Sequence, residues 1–119
     1  MNPETVYICG PMTGYKDWNF PAFFEAEKLL IAEGYEVVNP AWTDGLTLET
    51  AIANAGLSGS LTHNEYLREA VRMLVTCDAV CVLPGWEDSV GARVEVDLAA
   101  ALDMPVLTLA GWTLKQVLV

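Results

Sequence analysis

The sequence predicts an α/β domain built on a parallel sheet, and three observations carry that expectation. Short runs of branched and aromatic residues alternate with stretches of helical periodicity along the chain. The first strand, helix and second strand follow one another in an order that calls for a right-handed parallel crossover. The first three strands stop at Gly10-Pro11, Asn39-Pro40 and Pro84-Gly85, which are turn-forming pairs.

Thr5-Val6-Tyr7-Ile8-Cys9 is the first strand. It runs into Gly10-Pro11-Met12-Thr13-Gly14, a loop of small residues at a carboxyl end, where open parallel sheets hold ligands. The spacing of Gly10 and Gly14 lacks the third glycine of a dinucleotide fingerprint, and no Walker pattern is present. Pro21 is placed for the first turn of a helix, with Asn19 or Phe20 before it. Phe23, Ala26, Leu29, Leu30 and Glu33 trace that helix's face, which ends at Gly34 as a C-terminal cap. Tyr35-Glu36-Val37-Val38 is the second strand.

Residues 41–62 form a long connection with room for a short helix over 48–55, and a connection of this length in a compact domain is more often functional than idle. It is read as a lid or pocket wall. Trp42 either offers a flat surface to a base or covers the edge of the core. Residues 64–76 follow as a helix, with Leu67, Ala70, Val71 and Leu74 on its buried stripe and Arg68, Glu69 and Arg72 elsewhere. His63 has no Cys or His at ligand spacing, so no metal site is expected. No cofactor is expected either.

Asp78 leads into Ala79-Val80-Cys81-Val82-Leu83, a buried strand stopped by Pro84-Gly85. Asp88 or Ser89 then supplies an N-cap for a helix that runs to about Leu102. Gly91, Glu95, Leu98 and Leu102 fall on one stripe, bordered by Val94 and Ala101. Glu95 thus sits among core-facing residues. A carboxylate there is costly unless it is paired, hydrogen-bonded or open to a cavity. Either it walls an active site, or it lies at the stripe's edge and pairs with an arginine.

Residues 104–109 form the fourth strand. The tail from Gly111 to Val119 is apolar, so Trp112, Leu114, Val117 and Leu118 bury themselves on the domain or against another subunit. In the latter case the tail serves an interaction module.

A chain of 119 residues supports one core, hence one domain over residues 1–119. The formal charge of -10, with only six basic residues, argues against a nucleic-acid polymer as partner. Any phosphate held is therefore a single group on backbone amides. Cys9, Cys77 and Cys81 are odd in number and read as reduced and buried, which points to the cytoplasm. The first residues lack the character of a signal peptide and no apolar run approaches membrane-spanning length, so no membrane partner is expected.

Residues 6–14, Asn19-Phe20-Pro21-Ala22-Phe23, Cys77-Asp78-Ala79-Val80 and residues 84–95, taken together and in order, resemble the nucleoside 2-deoxyribosyltransferase superfamily. Within it they look like a small phage and bacterial branch related to the deoxynucleoside 5'-monophosphate N-glycosidases. The resemblance covers nearly the whole chain. It implies a doubly wound parallel sheet of four to five strands in three layers, flavodoxin- or Rossmann-like.

The resemblance also implies cleavage or exchange at the N-glycosidic bond of a nucleoside or nucleoside 5'-monophosphate. Glu95 matches the family's nucleophile, which traps the sugar at C1' as a glycosyl-enzyme intermediate. Tyr7 matches the tyrosine that orients it. Gly10, Met12 and Thr13 would border base or sugar, and Ser89, Gly91 and Ala92 would offer amides to the 5' group. Asn19, Phe20, Trp42, Trp86 and Asp88 complete the implied substrate-binding set, with Lys16 and Arg93 as the cations available to a phosphate. A homo-oligomer is expected, because relatives complete the site with a neighbouring subunit.

One position departs from the pattern. The family usually carries an aspartate eight residues before the strand-leading Asp, where it assists proton transfer, and this chain has Ala70 there. Glu69 is one residue away, about 100° around a helix, and points off the stripe. The alternative to an enzyme is therefore a nucleotide-binding or sequestering protein of weak or no activity on the same fold.

Overall fold

A computed structural model of the chain describes residues 4–12, 14–41 and 63–117. Among these described residues four parallel strands make one sheet: β1 (Thr5–Cys9), β2 (Glu36–Val38), β3 (Ala79–Val82) and β4 (Val106–Thr108), in the order β2-β1-β3-β4. Among the described residues the α-helices between and after them are α1 (Phe20–Ala32), α2 (His63–Leu74), α3 (Val90–Ala101) and α4 (Leu109–Val117). The doubly wound, three-layer α/β fold expected from the sequence is the one observed. Among the described residues no helix is long and apolar enough to cross a membrane.

The pleat of β1 divides the core in two. Val6 and Ile8 point to one face and pack with Phe23, Ala26 and Leu30 of α1 and Trp112 of α4. Tyr7 and Cys9 point to the other and pack with Leu74 of α2 and Ala92 and Ala99 of α3. Both central strands are buried on both faces, which is why they read as unbroken apolar runs rather than alternating ones.

Three local expectations change. On α1 the buried positions are Phe20, Phe23, Ala26 and Leu30, whereas Leu29 is 39% exposed. It lies one residue, and so a large turn of the helix, away from Leu30. On α3 the stripe is Ala92, Glu95 and Ala99, flanked by the half-buried Val96 and Leu98, while Val94, Ala101 and Leu102 are exposed. Two alanines let α3 approach the sheet closely, so the helix is rotated to put them inward, and Glu95 falls at the centre of the contact. The fourth strand ends at Thr108, because the Thr108 hydroxyl accepts the Gly111 amide at 3.0 Å and so starts α4.

The tail's apolar character is partly explained by Trp112, which is 1% exposed. Its Nε1 donates to the Val80 carbonyl at 2.9 Å, and its ring meets Tyr35 edge-on with centroids 5.3 Å apart. That residue is buried on its own domain. Leu118 lies outside the described residues, as do the connection's residues 42–62.

At the opposite ends of β1 and β3 the strand-leading Asp78 accepts the Thr5 amide at 3.0 Å, while its own amide donates to the Thr5 carbonyl. This clamp sets the register of the two central strands. It thereby sets where their carboxyl ends open.

Candidate active site

Those carboxyl ends feed two loops that meet. The Leu83 amide donates to the Cys9 carbonyl at 2.8 Å, extending the pairing one residue past the strands. Gly85 has φ of 87°, and the Tyr15 hydroxyl lies against it where a Cβ would project. The loop after β1 thus packs on the turn before α3. Ahead of α1, Asp17, Trp18 and Asn19 all take left-handed conformations, with φ of 52°, 56° and 61°. The Asn19 amide Nδ2 holds this turn by donating to the Pro11 carbonyl at 2.9 Å.

Ser89 caps α3: its hydroxyl accepts the Ala92 amide at 3.2 Å. Of the two N-caps open in the sequence, Ser89 is the one used. Asp88 stays exposed in the short turn Trp86–Asp88. From this start the helix carries Glu95 inward, to 7% exposure, facing β1.

Two β1 side chains of the same pleat reach it. The Cys9 thiol donates to Glu95 Oε1 over 3.8 Å, and the Tyr7 side chain favours the charged carboxyl. Burial pushes the Glu95 carboxyl from its ordinary 4.5 up to about 7, against the lowering effect of Tyr7 and Cys9. Among the described residues no arginine pairs with it. Of the two readings open in the sequence, the packing therefore favours a carboxyl facing a hollow over an ion pair at the stripe's edge.

The hollow has a volume of about 60 Å3. Tyr7, Gly10, Met12, Ser89, Gly91, Ala92 and Glu95 line it, so seven of the sequence-predicted site residues converge there. Ala70 lines it too, so the position at which the resemblance leads one to expect an aspartate borders the same hollow as Glu95. Glu69 is turned to solvent and pairs with Arg72, as its angular offset requires. The space admits a reacting centre and a few waters, and a larger ligand must extend through its mouth.

The other described residues expected at the site lie away from this hollow. Phe20 is 6% exposed within the α1 core and does not line the hollow, and Asn19 braces the loop rather than facing it. Trp86 is half-buried against the α3 side of the core, and with Asp88 it stays outside the lining. The Ala92 amide is taken by the Ser89 cap, so it is not available to a 5' group. Lys16 and Arg93 are exposed and off the wall. Thr13 and Trp42 lie outside the described residues.

Ile8, Phe23, Pro40 and Leu67 also line the hollow and were not singled out in the sequence. Leu67 carried a signal, since it shares a helical stripe with Ala70. Cys9 did as well, being two residues after Tyr7 on a strand. Among the described residues no group of three or more His, Cys, Asp or Glu could hold a metal ion.

Gly10 is required for space. A Cβ there would stand 2.8 Å from the Leu83 Cβ, which belongs to a side chain only 2% exposed. Gly10→Ala is expected to lower stability by about 1–3 kcal/mol, measured by urea unfolding. An unchanged midpoint would show that Leu83 yields freely.

Residues 4–108 match a family described as a domain of unknown function, DUF4406. No curated protein matches the chain.

Proposed function

On the premise that the chain belongs to the DUF4406 family, we propose that it cleaves the N-glycosidic bond of a nucleoside or nucleoside 5'-monophosphate, with Glu95 as nucleophile. The observation that carries this reading is the Glu95 carboxyl itself, 7% exposed at the wall of a hollow at the sheet's carboxyl edge that Tyr7 also lines. A buried acid without a countercharge destabilises a fold, so its placement beside a cavity has a chemical rationale.

In the proposed reaction an ionised Glu95 oxygen bonds to C1' as the bond from C1' to the base nitrogen breaks. The base departs with the electron pair and takes a proton from water. A water molecule then attacks C1' as its bond to Glu95 breaks, gives its proton to the hydroxide left when the base was protonated, and releases Glu95 as carboxylate. If a second base attacks instead of water, the outcome is exchange. Tyr7 steadies the charged form of Glu95 through its hydroxyl. The hollow, too small for a whole nucleoside, takes the anomeric centre, while base and 5' group extend toward the loops after β1 and β3.

A second reading has its own support. Ala70 leaves that wall of the hollow without the acid that the resemblance leads one to expect, and loss of such a group costs about 100- to 10,000-fold in rate. A protein that holds nucleotides with little turnover fits this feature.

One experiment separates the two. The protein is incubated with a panel of deoxynucleosides and their 5'-monophosphates, free base is followed by chromatography, and binding is followed by calorimetry. Base release that depends on Glu95 supports the glycosidase. Tight binding with no base released supports sequestration, and neither result across the panel would remove both.

A further inference from the structure

Glu95 has a neighbour whose chemistry the sequence assigns to packing alone. Cys9 is 1% exposed, and its sulfur lies 3.8 Å from Glu95 Oε1 and 3.5 Å from the carbonyl oxygen of Ala92, one turn earlier on the same helix. A thiol has a single proton to donate. The two acceptors therefore compete for it.

We propose that Cys9 is a positioning residue that holds Glu95 ready to ionise, turning its proton to Oε1 when the carboxyl is charged and to the Ala92 carbonyl when it is not. The geometry requires only rotation of the S–H about the Cβ–Sγ bond. No heavy atom moves, which suits a packed interior.

Cys9 is suited to this and to little else. Burial, and then the charge of Glu95, hold its thiol far above the ordinary range, so it stays protonated and is no nucleophile. The surroundings leave few rivals for control of Glu95. From β1 the titratable groups are Tyr7 and Cys9, while Cys81 on β3 acts on Cys9 through charge. From α2 come Leu67 and Ala70, neither titratable, and from the start of α3 the Ser89 hydroxyl. Among the described residues lining the hollow, Glu95 is the one that carries charge.

The effect on catalysis rests on the proposed glycosidase reading, whereas the effect on the Glu95 titration does not. The test is therefore a carboxyl titration of the full chain labelled with 13C-glutamate, with the Glu95 signal assigned by its loss in Glu95→Gln. Cys9→Ala is expected to raise the Glu95 midpoint by about half a pH unit or more. Cys9→Val, which fills the space without a donor, carries the same expectation and guards against a cavity effect. Cys9→Ser, which keeps a donor, should return the midpoint to the wild-type value or below. An unmoved midpoint in the alanine and valine variants would overturn the proposal, and so would a serine variant that titrates like alanine. If no substrate is turned over, the titration still decides the role of Cys9.

Discussion

Glu95→Gln is expected to reduce base release by about a thousandfold or more and, in the same protein, to make the fold more stable above neutral pH. The first effect follows from removing the only oxygen nucleophile the site is proposed to use, since a carboxamide of the same shape neither ionises nor forms a glycosyl ester. The second follows from linkage. Burial raises the folded-state value for Glu95 from the ordinary 4.5 to about 7, so between these values the folded chain binds more proton than the unfolded one. Stability from this group is complete below about pH 4.5 and is lost as pH rises through about 7. The loss is on the order of 3 kcal/mol by pH 8.

Glu95→Gln has no proton to lose and should flatten that decline. Urea unfolding of both proteins at pH 5 and pH 8 measures it. The wild type should lose stability between the two relative to the variant, and parallel behaviour would mean that Glu95 is not held in the environment described. Base release should rise through about pH 7 as the carboxyl ionises, since the charged form is the nucleophile. An activity that gains with stability in Glu95→Gln would be incompatible with the proposed chemistry.

The next largest effect is expected from a gain. Ala70→Asp puts a second carboxyl on the wall of the hollow that Glu95 lines, at a position 3% exposed. A group able to pass a proton to the departing base should raise kcat/KM by about tenfold or more. It should also raise the Glu95 midpoint, because like charges in a shared site oppose each other's ionisation. Ala70→Asn, of similar shape and unable to donate an acidic proton, is the control and should show neither change. Equal rates in all three proteins would mean that proton delivery does not limit turnover.

The fold was legible because its signals are local. Val6, Ile8, Val80 and Cys81 lie in runs buried on both faces, and such runs, alternating with helical patterns, have few arrangements open to them. The cap at Ser89 and the turn at Gly34 were legible for the same reason, since each involves residues close along the chain. The phase of α3 was not. A helical wheel drawn on side-chain size favoured Leu98 and Leu102, but the sheet accepts the smaller Ala92 and Ala99, and Leu102 ends 50% exposed. Phe20, named for the site through the resemblance, packs in the α1 core, a placement that only long-range contacts reveal.

From the chain alone came the parallel sheet, its carboxyl edge and the inward turn of Glu95, because each follows from spacing along strands and helices, whereas Ala70 was marked only by the family resemblance. The ionisation of that acid came from elsewhere. Cys9 stands 86 positions away from Glu95 in the chain, and no periodicity relates the two. They meet because the second pleat of β1 and the inward face of α3 close on one another, and the energy of a charge depends on what surrounds it in space rather than along the backbone.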